Sequence, residues 1–282
     1  MKSAKSIRII SRVVSILKSF GPQELELSVT DISRKAGVPK ATVYRIVTNL
    51  TQAGLLEKSR KTAKYKIGRE LYVLGSMYLS TTDFLKAAEP VVKTLNDLTK
   101  ETVVVSIFDE GYVTVVMGED SKHLLRWTVH IGYSTPAYAT AMGKTFLSEL
   151  TDTEIDSLYP EEALQPRSKK TIATKTELKQ ELDQIRKTRV AISIGQDYEE
   201  YAGIASVIRE ASGKAVAAIA ISLPIFRLNE ADIEWLATLI RLGSSLISQQ
   251  LGYQDTGAPV HNIEDLYSWW EQNQLNSASR SS

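Results

Sequence analysis

SVTDISRKAGVPKATVYRIVTNLTQAG, residues Ser28 to Gly54, reads as two short helices joined by a tight turn at Ala36-Gly37-Val38. Ser28 is placed to cap the first helix, with Asp31 three residues on as its reciprocal partner, and Ile32 and Ala36 point inward. Pro39 opens the second helix, where its fixed φ is already helical and its missing N–H costs nothing. Val43, Ile46, Val47 and Leu50 recur at i, i+3, i+4 and i+7, one apolar stripe at helical period. The opposite face carries Lys40, Ala41, Tyr44, Arg45 and Thr48, the cation, methyl, ring and hydroxyl groups that can meet phosphates and base edges. A helix, a glycine turn and a second helix with a polar outer face make a helix-turn-helix, whose second helix enters the major groove. Helix pairs of this kind also occur in proteins that never touch nucleic acid, so the flanking sequence has to decide.

Upstream, Lys5 to Phe20 forms an amphipathic helix, with Ile10, Val13, Val14, Leu17 and Phe20 on one side and Arg8, Arg12 and Lys18 on the other, ended by Gly21-Pro22. Downstream of Gly54, residues 55–58 and 64–67 alternate at period two around a tip carrying Arg60 and Lys61, which predicts a basic hairpin, or wing. The charge distribution agrees. Met1 to Glu70 holds 15 Lys and Arg against 5 Asp and Glu, a formal +10, while the remainder holds 19 against 28, a formal −9. A basic head on an acidic body suits displacement of counterions from DNA phosphates.

The 282 residues favour two domains, and the 43% apolar content supplies their cores. The absence of cysteine excludes disulfides, thiolate zinc sites and cysteine nucleophiles. Arg8 and Arg12 interrupt the N-terminal segment before an apolar signal region builds up, and no run is long enough to span a bilayer. The expectation is a cytoplasmic protein with no membrane partner.

Helices are expected at 69–80, rich in Leu71, Tyr72, Leu74, Met77 and Tyr78, and, after a break at Thr81-Thr82-Asp83, at 84–100. Beyond Thr102 the period changes to two. Thr102 to Phe108 and Tyr112 to Met117 predict a hairpin turning at Asp109-Glu110-Gly111, with a third strand at Leu124 to Val129. Helices follow at 139–150, 152–159 and 175–188. A second hairpin joins Gly203 to Arg209 with Ala215 to Leu223, and Asn229 caps a helix running to Leu251. Hairpins interleaved with helices argue an α+β domain, an antiparallel sheet covered by helices. After Gly252 come a Gly-Pro linker, a short helix at 263–274 with Leu266, Trp269 and Trp270, which should pack on its own domain or on a neighbouring subunit, and a Ser-rich end expected to be disordered.

The segments Leu27 to Ser33, Gly37 to Arg45, Gly54-Leu55-Leu56 and Tyr65 to Gly68 resemble the N-terminal signature of the IclR-type bacterial transcriptional regulators, with Ala41 where a serine is usual. Ala139 to Lys144, Arg186, Gly213 to Ser222 and Arg227-Leu228 extend the resemblance to about Gly252. The resemblance implies a winged helix-turn-helix over 1–68, a linker helix over 69–83 that also pairs the heads, a GAF-like effector-binding domain over 84–252, and a tail over 253–282. The DNA contacts it implies are Ser28, Lys40, Ala41, Thr42, Tyr44, Arg45 and Thr48, with Arg60, Lys61 and Lys64 of the wing. The expected partners are a roughly palindromic double-stranded operator and a small-molecule effector, probed by a homodimer or a dimer of dimers.

The family's small-acid ligands sit against backbone N–H groups at the start of the Ala-Thr-Ala-Met-Gly-Lys helix, as a helix N-terminus permits. Carried over position by position, the effector residues are Ala141, Met142, Ser193, Gly203, Ala220 and Ser222, with Trp127, Tyr133 and Tyr138 available to line the pocket. Where many members have an acidic residue, a cysteine and a first serine, this chain has Ser193, Gly203 and Ala220. Fewer polar anchors and more room favour a larger or partly apolar organic acid, aromatic or sugar-derived, over a very small keto acid. Small residues also suit close packing alone, and the sequence leaves both readings open at each position.

The competing class is an enzyme acting on a small carboxylate with an attached DNA-binding head. His123, His130 and His261 show no metal-site or nucleophile–base spacing, and neither a phosphate loop nor a nucleophile elbow occurs. Asp197, Glu199 and Glu200 read as a solvated loop. No catalytic residue, metal or cofactor is expected.

Overall fold

The computed structural model describes residues 3–21, 24–80, 83–254 and 260–280. It divides into two compact units, Met1–Thr82 and Asp83–Ser282. Pro22, Thr81, Thr82 and the Gly257–Pro259 linker lie outside the described residues.

In the first unit α1 (Ser3–Leu17), α2 (Val29–Ala36) and α3 (Lys40–Gln52) are followed by a hairpin of β1 (Leu56–Lys58) and β2 (Tyr65–Ile67) and by α4 (Arg69–Ser80). The hairpin is antiparallel, with Leu56 opposite Ile67 and Lys58 opposite Tyr65, and Leu27 adds a bridge to Tyr65. Val43 and Val47 of α3 are fully buried with Ile16, Ile32 and Leu56. The inward face of α1 therefore centres on Ile16, with Val13, Leu17 and Phe20 packed around it. Ile10 and Val14, expected on that face, are exposed together with Ile9, because the buried stripe runs through Val13, Ile16, Leu17 and Phe20 and shares only part of the predicted one. On α4, Tyr72, Leu74 and Met77 are exposed, so this is not an ordinary core helix of its unit.

The second unit contains α5 (Asp83–Thr99), β3 (Thr102–Asp109), β4 (Tyr112–Glu119), β5 (Ser134–Pro136), α6 (Ala141–Leu147), α7 (Asp152–Leu158), α8 (Lys175–Thr188), β6 (Ala191–Ile194), β7 (Tyr201–Arg209), β8 (Ala215–Pro224), α9 (Glu230–Gln250) and α10 (Ile263–Arg280). The sheet order is β5-β4-β3-β8-β7-β6, every pair antiparallel. At the β3–β4 turn Glu110 and Gly111 both take positive φ, 44° and 83°, the two-residue geometry that matches strand twist.

Side chains alternate across this sheet. Val103, Val105, Ile204, Ile219 and Ile221 face a core shared with α5 and α9, while Val104, Ala205, Ala218 and Ala220 face a second core shared with α6 and α8. The first face is filled by branched aliphatics; the second is floored by small residues. The mixed α/β architecture, a helix-turn-helix head and an antiparallel sheet domain, is the one the sequence predicts.

Three local expectations are corrected. Leu124 to Val129 is not a strand: Leu124 and Leu125 are exposed, and the segment is held by side chains instead of a ladder. Arg227 donates to the Leu125 carbonyl (2.9 Å), Thr102 to the Trp127 carbonyl (2.8 Å), and Val129 N–H donates to Asp120 (2.8 Å). The third strand is β5 instead. Asn229 precedes α9 but does not cap it through its side chain, which donates to Asp232 Oδ2 (2.9 Å). The Ser-rich end continues α10 to Arg280. Leu266 of that helix is fully buried, and Trp270 meets Trp235 of α9 edge-on at 4.7 Å between ring centres, so the tail packs on its own unit. Among the described residues no helix is long and apolar enough to cross a membrane.

Candidate functional site

The helix-turn-helix is fixed by short-range chemistry. Ser28 and Asp31 form a reciprocal capping box: Asp31 N–H donates to Ser28 Oγ (3.2 Å), and the Ser28 N–H and hydroxyl donate to Asp31 Oδ2 (3.2 and 2.6 Å). Hydrogen bonds from Ser28 hold the Asp31 carboxyl below its usual range. Gly37 ends α2 at φ 64°, and its N–H donates to the Ser33 carbonyl. The Ser33 hydroxyl then donates to the Val38 carbonyl (2.7 Å), locking the turn from both sides. Pro39 takes the N-cap position, its carbonyl accepting from Thr42 and Val43 N–H, one residue before the first helical position expected for it.

The outward face of α3 presents Lys40, Ala41, Tyr44 and Arg45 exposed, with Thr42 and Thr48 half-buried. Arg60, Lys61 and Lys64 are exposed on the hairpin. Among the described residues no carboxylate pairs with Lys40, Arg45, Arg60 or Lys61, whereas Lys66 of the same hairpin is paired with Glu57 (3.1 Å). Two hydroxyls of the expected set are spent locally: Ser28 in its cap, and Thr48 donating to the Tyr44 carbonyl (2.8 Å). The cations and Tyr44 remain directed outward.

In the second unit, a cavity open to solvent lies between the small-residue face of the sheet and the start of α6. Strand register builds its floor: Ser193, Gly203 and Ser222 form one row across β6, β7 and β8, and Ala220 lies opposite Val104 in the next. Ala141 and Met142 head the opposing helix. Thr140 caps that helix by accepting from Gly143 N–H (3.1 Å), and among the described residues no backbone carbonyl takes the N–H of Ala141 or Met142, as expected at a helix start. Gly143 is indispensable to this arrangement, since a Cβ there would lie 2.1 Å from the Ala137 carbonyl oxygen. Arg186 ties down the other end of α6, donating to the Ser148 (3.0 Å) and Leu150 (2.9 Å) carbonyls.

The rim is aromatic. Trp127 and Tyr133 meet edge-on at 5.9 Å, and Tyr133 and Tyr198 tilt together at 6.5 Å. Trp127, Ala141, Met142, Ser193, Gly203, Ala220 and Ser222, named from the sequence, all line the cavity, as does Tyr133. Tyr138 does not: its hydroxyl donates to the Gln165 carbonyl (2.9 Å) and its ring stands edge-on to Tyr159 at 5.4 Å, beside a separate surface depression with Tyr112.

Asp197 is also corrected. It is not a solvated loop acid, although Glu199 and Glu200 are exposed. Its side chain is 12% exposed, lines the cavity and pairs with Arg167 (2.9 Å). The cluster of acids concealed this, because the partner lies thirty residues away, beyond any local pattern. Thr135, Thr140, Tyr198 and Tyr201 also line the cavity, in roles that sequence reasoning did not name.

Behind the cavity, Lys144 of α6 is fully buried. Its ammonium donates to Glu181 of α8 (2.6 Å) and to Gln196, whose side-chain oxygen also accepts from Ser193 (3.0 Å). Burial pulls the Lys144 ammonium below its usual range, and Glu181 offsets part of that. Among the described residues no group of three or more His, Asp or Glu could hold a metal ion.

Comparison with known proteins agrees with this geometry. The family model described as the IclR helix-turn-helix domain matches residues 10–60, and that described as bacterial transcriptional regulator IclR C-terminal matches residues 76–249. The chain is 28% identical to the HTH-type transcriptional regulator KdgR of Escherichia coli K12 over 258 residues, 90% of this chain and 96% of that protein. The crystal structure of the repressor BlcR of Agobacterium tumefaciens is 27% identical with a TM-score of 0.57, over 88% of this chain and 99% of the other. An IclR homologue of Microbacterium hydrocarbonoxydans, solved with 4-hydroxybenzoate, shares the fold at a TM-score of 0.73 and 21% identity, over 86% of this chain and 98% of the other. With both halves matched, the chain belongs to the IclR family, ligand-responsive bacterial transcriptional regulators that carry a helix-turn-helix.

Proposed function

We propose that this regulator binds a roughly palindromic operator through α3 and the basic hairpin, and that a small aromatic carboxylate in the sheet–α6 cavity alters its affinity for that operator. The observation that carries the effector half is the cavity itself: a sheet face floored by Gly203, Ala220 and Ser222 and walled by Trp127, Tyr133 and Met142. An apolar, aromatic enclosure with a few convergent polar groups suits a flat organic acid, and the N–H groups of Ala141 and Met142 are donors for its carboxylate. The relative solved with 4-hydroxybenzoate supports the same class.

For the operator half, Lys40, Arg45, Arg60 and Lys61 give phosphate and base-edge contacts, with Arg45 on α3 as the reader of sequence. Two heads related by a twofold axis place two recognition helices in half-sites one or two DNA turns apart. The exposed Ile9, Ile10 and Val14 of α1 supply apolar surface for such pairing, in a homodimer or a dimer of dimers.

The effector has to bind the DNA-competent and incompetent states unequally, or it shifts nothing. The test is a thermal-shift screen of aromatic acids on the full-length protein, followed by operator binding with and without each hit. A ligand that binds the native state raises the melting temperature by mass action. A hit that leaves operator affinity unchanged refutes the regulatory role of the cavity, and turnover of a hit would favour an enzyme.

A further inference from the structure

We propose that Asp197 sets the specificity of the cavity by accepting a hydrogen bond from a donor group, hydroxyl or amino, on the effector ring at the end away from its carboxylate. The inference rests on the aromatic-acid reading above and narrows it.

Asp197 follows β6 on a turn that Gly195 enters at φ 71°. The turn is clasped from outside the strand: the Ser168 hydroxyl donates to the Gly195 carbonyl (2.5 Å) and the Thr171 hydroxyl to the Gln196 carbonyl (2.7 Å). The carboxylate is therefore held in place rather than left to find its own position. Oδ1 accepts from Arg167 Nε (2.9 Å) and Thr135 Oγ1 (3.2 Å), and Oδ2 accepts from the Tyr133 hydroxyl (3.0 Å). A carboxylate offers about four acceptor positions. Protein donors take three, and the remaining one is on Oδ2, the oxygen shared with Tyr133 on the cavity wall.

The neighbours are arranged to leave that position to a ligand. Burial pushes the Tyr133 hydroxyl well above the usual phenol range, so it keeps its one proton and directs it at Asp197. The Tyr198 hydroxyl lies 3.2 Å from the Tyr133 hydroxyl, and with the Tyr133 proton on Asp197 the proton between the two phenols comes from Tyr198. Arg167 balances the charge of Asp197, which makes a nearly buried carboxylate tolerable. The cavity lining thus holds donors, at Ala141 and Met142, and an acceptor, at Asp197. An effector with a carboxylate at one end and a donor at the other satisfies both. An acid lacking the donor strips water from Oδ2 and returns nothing, a desolvation loss that falls entirely on the wrong ligand.

The experiment titrates the wild-type protein calorimetrically with 4-hydroxybenzoate, 4-aminobenzoate, 4-methoxybenzoate and benzoate, then repeats the series with Asp197→Asn. The first two should bind roughly ten- to a hundredfold more tightly than the last two, the range for a hydrogen bond to a charged group. In Asp197→Asn the preference should shrink to a few-fold, because a neutral amide costs less to desolvate against benzoate and accepts a weaker hydrogen bond from the hydroxyl. If the variant does not fold, as its melting curve will tell, the wild-type series still decides, because methoxy and hydroxyl differ in the proton they can donate. Equal wild-type affinity for all four, or a preference that survives intact in a folded Asp197→Asn, overturns the inference and leaves the aromatic-acid reading standing. Binding of none of the four overturns that reading and the inference with it.

Discussion

Gly203→Ala separates the cavity from the fold. Gly203 lies within β7 at ordinary extended φ, and a Cβ built there would meet only the Ala141 Cβ, at 3.5 Å, an ordinary van der Waals contact. Neither sterics nor backbone conformation demands glycine. In a strand interior glycine costs about 0.5–1 kcal/mol relative to alanine, so the unliganded variant should be as stable as the parent or more so. For a unit of this length that is a rise of roughly 1–4 °C in melting temperature. The same methyl occupies the cavity floor between Ser193 and Ser222. An added methyl(ene) in a packed site costs about 1–3 kcal/mol, so an effector that rests on this floor should lose roughly five- to 150-fold in affinity. Differential scanning calorimetry with and without 4-hydroxybenzoate reads both effects. A lowered apo melting temperature would refute the packing argument, and an unchanged ligand-induced rise would show that the effector does not rest on Gly203.

Four further outcomes follow from the same geometry. Arg45→Ala should weaken operator binding by about 1–3 kcal/mol and relax sequence preference, measured by binding to operator and scrambled duplexes. Lys61→Ala should weaken both duplexes alike and reduce the slope of log K against log salt by roughly one. Gly143→Ala, whose Cβ would fall 2.1 Å from the Ala137 carbonyl oxygen, should destabilise the second unit by about 1–3 kcal/mol or more in denaturant titration. Glu181→Gln removes the carboxylate opposite the buried Lys144 (2.6 Å) and should cost about 3 kcal/mol, the lower end for an orphaned buried charge because Glu181 is itself partly solvated. The folded-state ammonium of Lys144 already lies below its ordinary value of 10.5, and losing Glu181 lowers it further. Between the variant's folded-state value and the parent's, the variant's Lys144 has lost its proton while the parent's still holds it, so the deficit should shrink as pH rises through that window and level off above it; a deficit that grows would contradict the assignment.

The head was legible in the sequence because its determinants are local. Ser28 with Asp31, Gly37 and the Val43–Leu50 stripe each act within a few residues, and the order of helices and hairpin follows from them. The sheet hairpins were legible for the same reason, since Glu110-Gly111 and the period-two runs announce themselves. Ile16 was left out of the predicted stripe because α1 offers apolar residues on more than one face, and only the partners Val43 and Val47 choose between them. Leu124 to Val129 has strand composition, yet Arg227 and Thr102 claim its carbonyls from far along the chain. Around the cavity, the floor residues could be named by resemblance, whereas Asp197 and Thr135 could not: their roles exist only once Arg167 and Tyr133 arrive from other elements.

Along β8, Ala217, Ile219, Ile221 and Leu223 serve the aliphatic core, while Ala218, Ala220 and Ser222 turn toward the other face. Odd positions of one strand thus serve one core, while the even ones serve the other and, at Ala220 and Ser222, also floor the cavity. On the reading proposed above, a change of signal by mutation at Ala220 or Ser222 would leave the aliphatic core on the reverse side of the same ribbon untouched, and would have to be accommodated only by the packing against α6.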